Sequence, residues 1–244
     1  MSPASTTHLV LIPSYNTGAR LFETVAEVRQ FAQPVWVVID GSTDGTGEAL
    51  ARTAEGDPDL RVCRLARNCG KGAAILHGLL LAEKAGFTHV LTVDADGQHS
   101  ARHLEAMIDL SRAHPDAMIL GLPVFDASAP GIRVAGHKIA NFFADVVTMW
   151  AGIGDSLFGL RVYPIAPLLL AFAATRWMRR FDFDSEAVIR LSWQGVQPIN
   201  IATPVRYFRR ADGGVSHFKY LRDNLLLAFM YLRLFAGLLA RRVP

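Results

Sequence analysis

Thr88-His89-Val90-Leu91-Thr92-Val93-Asp94-Ala95-Asp96-Gly97-Gln98-His99 is the stretch on which the reading of this chain turns. Thr88 to Val93 is short, apolar and β-branched, the pattern of a buried strand. It ends on two carboxylates one residue apart. Spacing i, i+2 on extended backbone points both side chains the same way. Two carboxylates on one side repel each other unless a cation lies between them. A hard divalent ion, Mg²⁺ or Mn²⁺, answers that repulsion with oxygen ligands and leaves room for substrate phosphates. Asp94, Asp96 and the carbonyl oxygen of Gln98 are therefore candidate metal ligands. The competing reading is a solvated turn, since Asp-x-Asp alone is a short pattern. His99 reads as a cap for a helix beginning at Ala101.

Outward from this stretch, strand and helix patterns alternate. Leu9 to Ile12, Val35 to Ile39 and Leu60 to Leu65 read as strands, and Arg20 to Phe31, Thr46 to Thr53 and Lys71 to Ala85 as helices. Downstream come a helix over Ala101 to Ala113 and a strand over Ala117 to Leu120. The alternation predicts an α/β fold with a mostly parallel central sheet flanked by helices. In such sheets ligands bind beyond the carboxyl ends of the strands. Pro13-Ser14-Tyr15-Asn16, Asp40-Gly41-Ser42-Thr43-Asp44, Asn68-Cys69-Gly70-Lys71-Gly72 and the Asp94–Gln98 loop all fall there. The bland reading makes Asp44 or Thr43 a helix cap. Gly70-Lys71-Gly72 lacks the spacing of a Walker loop. His77 and His89 read as structural histidines. The second half is less regular. Ile139 to Trp150, Pro164 to Ala174, Asp184 to Trp193 and Phe218 to Arg241 look helical, and Ser156 to Val162 and Ile199 to Tyr207 look like strands.

A chain of 244 residues, 51% hydrophobic, can bury a substantial core. We divide it into a main domain, 1–217, and a C-terminal amphipathic helix, 218–244. Charge is asymmetric. Residues 1–120 carry 10 Lys and Arg against 14 Asp and Glu, and residues 121–244 carry 15 against 8. That split argues against nucleic acid as a partner and suits an anionic ligand or membrane surface met by the second half. Cys63 and Cys69 match no metal or redox spacing and fit a reducing, cytoplasmic compartment. No Lys or Arg precedes Arg20, so no signal-peptide pattern is seen, and no window reads as a spanning helix. Arg222 and Arg233 share a face of the final helix, whose remainder is mostly apolar. We read it as lying on the inner face of a membrane, basic residues toward lipid head groups. The competing reading packs it on the sheet, and a homodimer interface would use the same face.

With these loops in place, the chain resembles the family-2 glycosyltransferases of GT-A fold, above all the polyprenol- and dolichol-phosphate sugar transferases. The four loops quoted above carry the resemblance, with Asp155 to Arg161, Asp184-Ser185-Glu186, and Pro204 through Arg210 to Gly214 and Ser216-His217. They run in family order from residue 9 to about 220. The resemblance implies a nucleotide-sugar donor, UDP- or GDP-linked, bordered by Pro13, Tyr15, Asn16 and Asp40. Gly70 and Gly72 would let backbone approach the nucleotide, with Lys71 adding positive charge. Asp94, Asp96 and Gln98 would hold Mg²⁺ or Mn²⁺ against the diphosphate, and Arg210 would reach the diphosphate too.

Some positions depart from the family pattern. Ile39 replaces the first of two adjacent carboxylates. Gly121-Leu122-Pro123 stands where a Gly-Ser-Arg is usual. His137 and Asn141 replace an acceptor-phosphate arginine and a serine, and His217 replaces a lysine. The acceptor is therefore left open between a polyprenyl phosphate and another lipid bearing a hydroxyl. A hydroxyl needs a general base. Asp184 and Glu186 are the candidates, with Asp155 in reserve; both also suit the acidic first turn of a helix. Two rivals remain, a nucleotidyltransferase on a similar frame and a non-catalytic nucleotide-sugar-binding scaffold.

Overall fold

The structure, a computed structural model, describes residues 4–99, 101–125, 129–206 and 220–242. Strand β1 (His8–Ser14) explains why the sheet is covered on both sides. Successive side chains of a strand point to opposite faces. Leu9 and Leu11 enter one apolar core and Val10 and Ile12 another, all four buried. On the first side pack α3 (Lys71–Lys84), α5 (Gly131–Thr148), α6 (Ile165–Ala173), α7 (Asp182–Trp193) and α8 (Tyr220–Arg242). On the second pack α1 (Arg20–Val28), α2 (Thr46–Thr53) and α4 (Leu104–Ala113), the last preceded by a 3₁₀ turn at Ala101–His103. Helix α3 comes close because Gly78 faces Leu11, where a Cβ would stand 2.5 Å from a Leu11 methyl.

The remaining strands are β2 (Val35–Asp40), β3 (Leu60–Leu65), β4 (His89–Thr92), β5 (Met118–Val124), β6 (Arg161–Pro164) and β7 (Pro198–Pro204). Among the described residues they form one sheet in the order β3-β2-β1-β4-β6-β5-β7. All neighbours are parallel except that β6 runs antiparallel to both β4 and β5. The chain steps from β1 outward to β2 and β3, then returns to the other side of β1 with β4. At such a reversal the loops after the two strands diverge and leave a crevice at the carboxyl edge. The loops that begin at Asn16 and at Asp94 flank it.

Several boundaries differ from the sequence expectation, β5 running on to Val124 and α1 ending at Val28 among them, and two bear on the site. Residues 156–160 are loop, not strand, because the Asp155 carboxylate draws the N–H groups of Leu157 and Phe158 to itself. Helix α5 starts at Gly131, eight residues before Ile139, with Pro130 as its cap residue. A polar, glycine-containing first half hid its period. The expected domain boundary near 217 falls outside the described residues. Beyond it, α8 buries Leu227, Met230, Tyr231 and Leu234 in the first core, and the Tyr231 hydroxyl donates to the Ala140 carbonyl at 2.9 Å.

Candidate active site

Polar contacts sew four loops together at the carboxyl edge. Asn16 adopts φ 44°. Its N–H donates to Ser42 Oγ at 2.9 Å and its Oδ1 accepts from the Thr43 N–H at 2.7 Å. Asp44 accepts from the N–H of Gly18 at 3.0 Å and of Thr46 at 3.1 Å, so it ties two loops just ahead of α2, whose cap residue is Gly45. Asp40 is buried, and its two oxygens accept the N–H groups of Cys69 and Gly70 at 2.7 and 2.8 Å. Pro13 and Tyr15 are half-buried in the loop of Asn16.

The close approach expected of Gly70 and Gly72 is to protein backbone. A Cβ at Gly70, with φ 103°, would stand 2.4 Å from the Arg179 carbonyl oxygen, and one at Gly72 2.1 Å from that of Met178. Only glycine lets α3 and the segment before α7 meet so closely. Lys71, between them, is thereby carried inward. Its ammonium lies 2.7 Å from Asp94 Oδ1 and 2.7 Å from Asp184 Oδ2. His99 Nε2 is 3.2 Å from the other Asp94 oxygen, so His99 faces the carboxylate rather than capping a helix. Asp96 accepts from the Gln98 N–H at 3.0 Å. Burial alternates along the loop: Val93, Ala95, Gly97 and His99 are buried, and Asp94, Asp96 and Gln98 share the open side.

The charges in this cluster are unevenly matched. Burial opposes protonation of Lys71, but the Asp184 and Asp94 carboxylates override it and hold the ammonium well above the ordinary lysine value. Burial opposes ionisation of Asp94 as well, yet Lys71 and His99 hold its carboxyl far below the usual range. Asp96 moves the other way, pushed up by burial and then by the Asp94 charge. Asp184 also rises, because burial outweighs the help of Lys71. No cation pairs with Asp96 among the described residues.

That donor set fits a hard divalent ion. Asp94 and Asp96 present oxygens on one open side, and Gln98 Oε1, which accepts from Arg133 at 3.2 Å, continues the row. Among the described residues, no three His, Cys, Asp or Glu side chains form a closed cage. An ion that takes one or two carboxylates and completes its shell with phosphate oxygens and water needs none.

Asp184 and Glu186 do not share this site. Glu186 is fully buried and points away, held by Arg190 at 2.7 Å and by Arg233 of α8 at 2.5 Å. Its place as a candidate base is corrected accordingly. Arg233, expected on a basic lipid-facing side, turns inward because Glu186 needs a partner. Arg210, Gly213, Gly214, Ser216 and His217 lie outside the described residues. Sequence reasoning passed over Arg161, which is fully buried. Its guanidinium donates to Tyr163 Oη at 2.9 Å, to the Asp155 carbonyl at 3.1 Å and to the Asp184 carbonyl. The signal was available, since an arginine between Leu160 and Val162 in a strand must find buried acceptors.

Comparison with known proteins agrees with this geometry. The glycosyl transferase family 2 model matches residues 9–165. Polyprenol monophosphomannose synthase of Mycolicibacterium smegmatis is 32% identical over 161 residues, 64% of this chain and 60% of that protein. Undecaprenyl-phosphate mannosyltransferase of Micrococcus luteus is 28% identical over 182 residues, 72% of this chain and 70% of that one. The chain thus spans between three-fifths and seven-tenths of these relatives. Among solved structures, glucosyl-3-phosphoglycerate synthase of Mycobacterium tuberculosis, in complex with Mn²⁺, UDP and its product, superposes with a TM-score of 0.62 at 16% identity. That match covers 96% of this chain and 79% of the other, and it bears out the GT-A fold. A match over nearly two-thirds of the chain, spanning the loops of Asn16, Asp40, Gly70 and Asp94, leaves one assignment: the chain belongs to glycosyl transferase family 2.

Proposed function

We propose that the protein transfers a sugar from a nucleoside diphosphate, UDP- or GDP-linked, to a lipid or polyprenyl-phosphate acceptor at a membrane surface. The observation that carries the reading is the cluster of Asp94, Lys71 and Asp184 beside the β1/β4 crevice, with Asp96 open and unpaired by any cation among the described residues. Such a site attracts a divalent ion and, through it, a diphosphate. The two relatives named for polyprenol- and undecaprenyl-linked sugars support the acceptor class. The solved structure with Mn²⁺ and UDP supports the donor class.

Pro13, Tyr15, Asn16 and Asp40 would border the nucleoside. Asp94, Asp96 and Gln98 would hold Mg²⁺ or Mn²⁺, which supplies charge neutralisation for the leaving diphosphate. Lys71 keeps Asp94 ionised and adds positive charge at the same place. Arg210 offers a planar donor fork to the diphosphate. Asp184, fixed by Lys71, orients the sugar between β4 and α7. Attack from the face opposite the diphosphate breaks the anomeric C–O bond and inverts the anomeric centre.

The acceptor's apolar part needs a surface, and α8 presents Leu221, Leu225, Phe229, Leu232, Phe235 and Leu239 in a row outward. Phe142 and Trp150, from and just beyond α5, are likewise exposed. Among the described residues no helix is long and apolar enough to cross a membrane. The outward row suits contact with one membrane face, which we take to be the inner one. Calorimetric titration of UDP and GDP, each with and without Mn²⁺, tests the reading. Tight binding of one nucleotide only with metal is expected. Binding of neither under any condition sinks it.

A further inference from the structure

We infer that His137, oriented by Asp155, accepts the proton of a hydroxyl on the acceptor, so that the lipid glycosylated here offers an alcohol; the inference rests on the transferase reading above. Asp155 is 2% exposed and every contact it makes is a donor. Its Oδ1 accepts the N–H groups of Leu157 and Phe158 at 2.9 and 2.8 Å. Its Oδ2 accepts from Asn141 Nδ2 at 3.0 Å and faces His137 Nδ1 at 2.7 Å. An ionised carboxylate only accepts, so in the neutral imidazole the proton sits on Nδ1 and the lone pair on Nε2.

Position makes this lone pair useful. Arg133 and His137 are four residues apart and share a face of α5, about one turn from each other. Arg133 reaches Gln98 of the metal-ligand loop at 3.2 Å. From the other side, Arg161 joins the carbonyl of Asp155 to that of Asp184. The imidazole therefore stands between the Asp94–Gln98 loop and the start of α7, where the acceptor must meet the donor sugar. The competing bases are engaged elsewhere. Asp184 is paired with Lys71, and Glu186 is enclosed by two arginines.

The step balances simply. The acceptor oxygen bonds to the anomeric carbon as its proton passes to His137 Nε2. The anomeric C–O bond to the diphosphate breaks, and the nucleoside diphosphate leaves with that electron pair. The imidazolium later returns its proton to water. A phosphate acceptor is already ionised and has no use for the pair.

The test gives the full chain a nucleotide-hexose donor and three acceptors in mixed micelles: dioleoylglycerol, a polyprenol and a polyprenyl phosphate. Wild type, His137→Gln and Asp155→Asn are compared, with nucleotide affinity measured by calorimetry alongside. We expect transfer to an alcohol. His137→Gln should lower kcat about 100-fold or more, with KM and nucleotide affinity nearly unchanged. Asp155→Asn should lower kcat about tenfold or more in the same way, with the calorimetric stoichiometry of nucleotide binding kept at the wild-type value, which an unfolded fraction would lower. Transfer to polyprenyl phosphate that His137→Gln leaves intact overturns the inference and keeps the transferase reading. If neither lipid class is used, water is the remaining hydroxyl, and donor hydrolysis decides. A fall in His137→Gln keeps His137 as the base but overturns the lipid alcohol as acceptor, and an unchanged rate overturns both. Absence of nucleotide binding and of any turnover removes both readings together.

Discussion

Asp184 and Glu186 stand two residues apart on α7 and belong to two different kinds of charge cluster. Two residues along a helix are about 200° apart, so the carboxylates face opposite ways. Asp184 meets Asp94 across the single ammonium of Lys71. Glu186 meets two guanidiniums, Arg190 and Arg233. In the first cluster carboxylates outnumber cations, and in the second cations outnumber the carboxylate. A cluster left short of positive charge at an open edge is built to receive a cation. One with cations to spare around a fully buried carboxylate is built to fasten α8 to α7. Residue type alone does not separate the two; the count of partners does.

Breaking the closed cluster should act on folding alone. Glu186→Gln leaves the half-buried Arg190 and Arg233 without a counter-charge, and we expect about 2–3 kcal/mol of lost stability, below the full cost for a wholly buried pair because both guanidiniums keep some water. Chemical denaturation measures it, and nucleotide affinity of the folded fraction should stay as it was. A stability change under about 1 kcal/mol would show that the pair is no more than a surface contact.

Lys71→Met sharpens the contrast from the open side. It leaves Asp94 and Asp184 facing each other without a cation, at a cost of about 3 kcal/mol. Here a divalent ion can substitute. Removal of the ammonium should tighten Mn²⁺ binding, so at one fixed Mn²⁺ concentration the thermal shift should exceed that of wild type, reaching about 2.7 kcal/mol at about 100 times the variant's dissociation constant. The same ion should shift Glu186→Gln no more than it shifts wild type, since the Asp94–Asp96 edge is unchanged there. Equal shifts in both variants would erase the distinction between the clusters.

His8 gives a third case, a buried base with no carboxylate bonded to it. It stacks on His89 across the β1/β4 pair at 4.6 Å and bonds to Ser111 at 3.0 Å. Burial, then His89, lowers its pKa from 6.5 to about 4. The folded state thus refuses a proton that the unfolded chain accepts. Stability is whole above pH 6.5 and is lost as pH falls toward 4, by about 3 kcal/mol in all. His8→Gln should flatten that part of the pH–stability curve. An unchanged slope would mean that His8 already carries its proton when folded.

Periodicity made the first half legible. The period-2 alternation in Leu9 to Ile12 and the apolar run before Asp94 predict a doubly covered sheet and the loop at its edge. Asp94, Asp96 and Gln98 share the open side as the spacing predicts, but β4 ends at Thr92 and Ala95–Asp96 is a turn, so the loop and not an extended strand sets it. Lys71 was visible as a charge near glycines, but its placement between Asp94 and Asp184 depends on how close α3 comes to the segment before α7. That is a tertiary fact set by Gly70 and Gly72. Glu186 failed as a site residue for a related reason. Helical phase separates it from Asp184, and its fate was decided by Arg233, forty-seven residues downstream. Residues 156–160 read as strand until the Asp155 side chain, bonding locally, took the backbone for itself.

Helix α8 repeats the comparison without charge, and its effect on folding should be the smallest. Leu232 is 70% exposed and Leu234 is 1% exposed, two residues apart on opposite sides. Leu232→Asn removes no packed contact, so stability should change by less than about 0.5 kcal/mol. If the outward row enters a bilayer interface, the same change forfeits burial of one leucine, about 1.5 kcal/mol, and partition onto anionic vesicles should fall about tenfold. Vesicle sedimentation at fixed salt reads this directly. Unchanged partition together with a monomer–dimer equilibrium shifted toward monomer would assign the row to a second copy of the chain. The inward half of α8 would keep its place in the core in either case, because Leu234 and Tyr231 are already buried there.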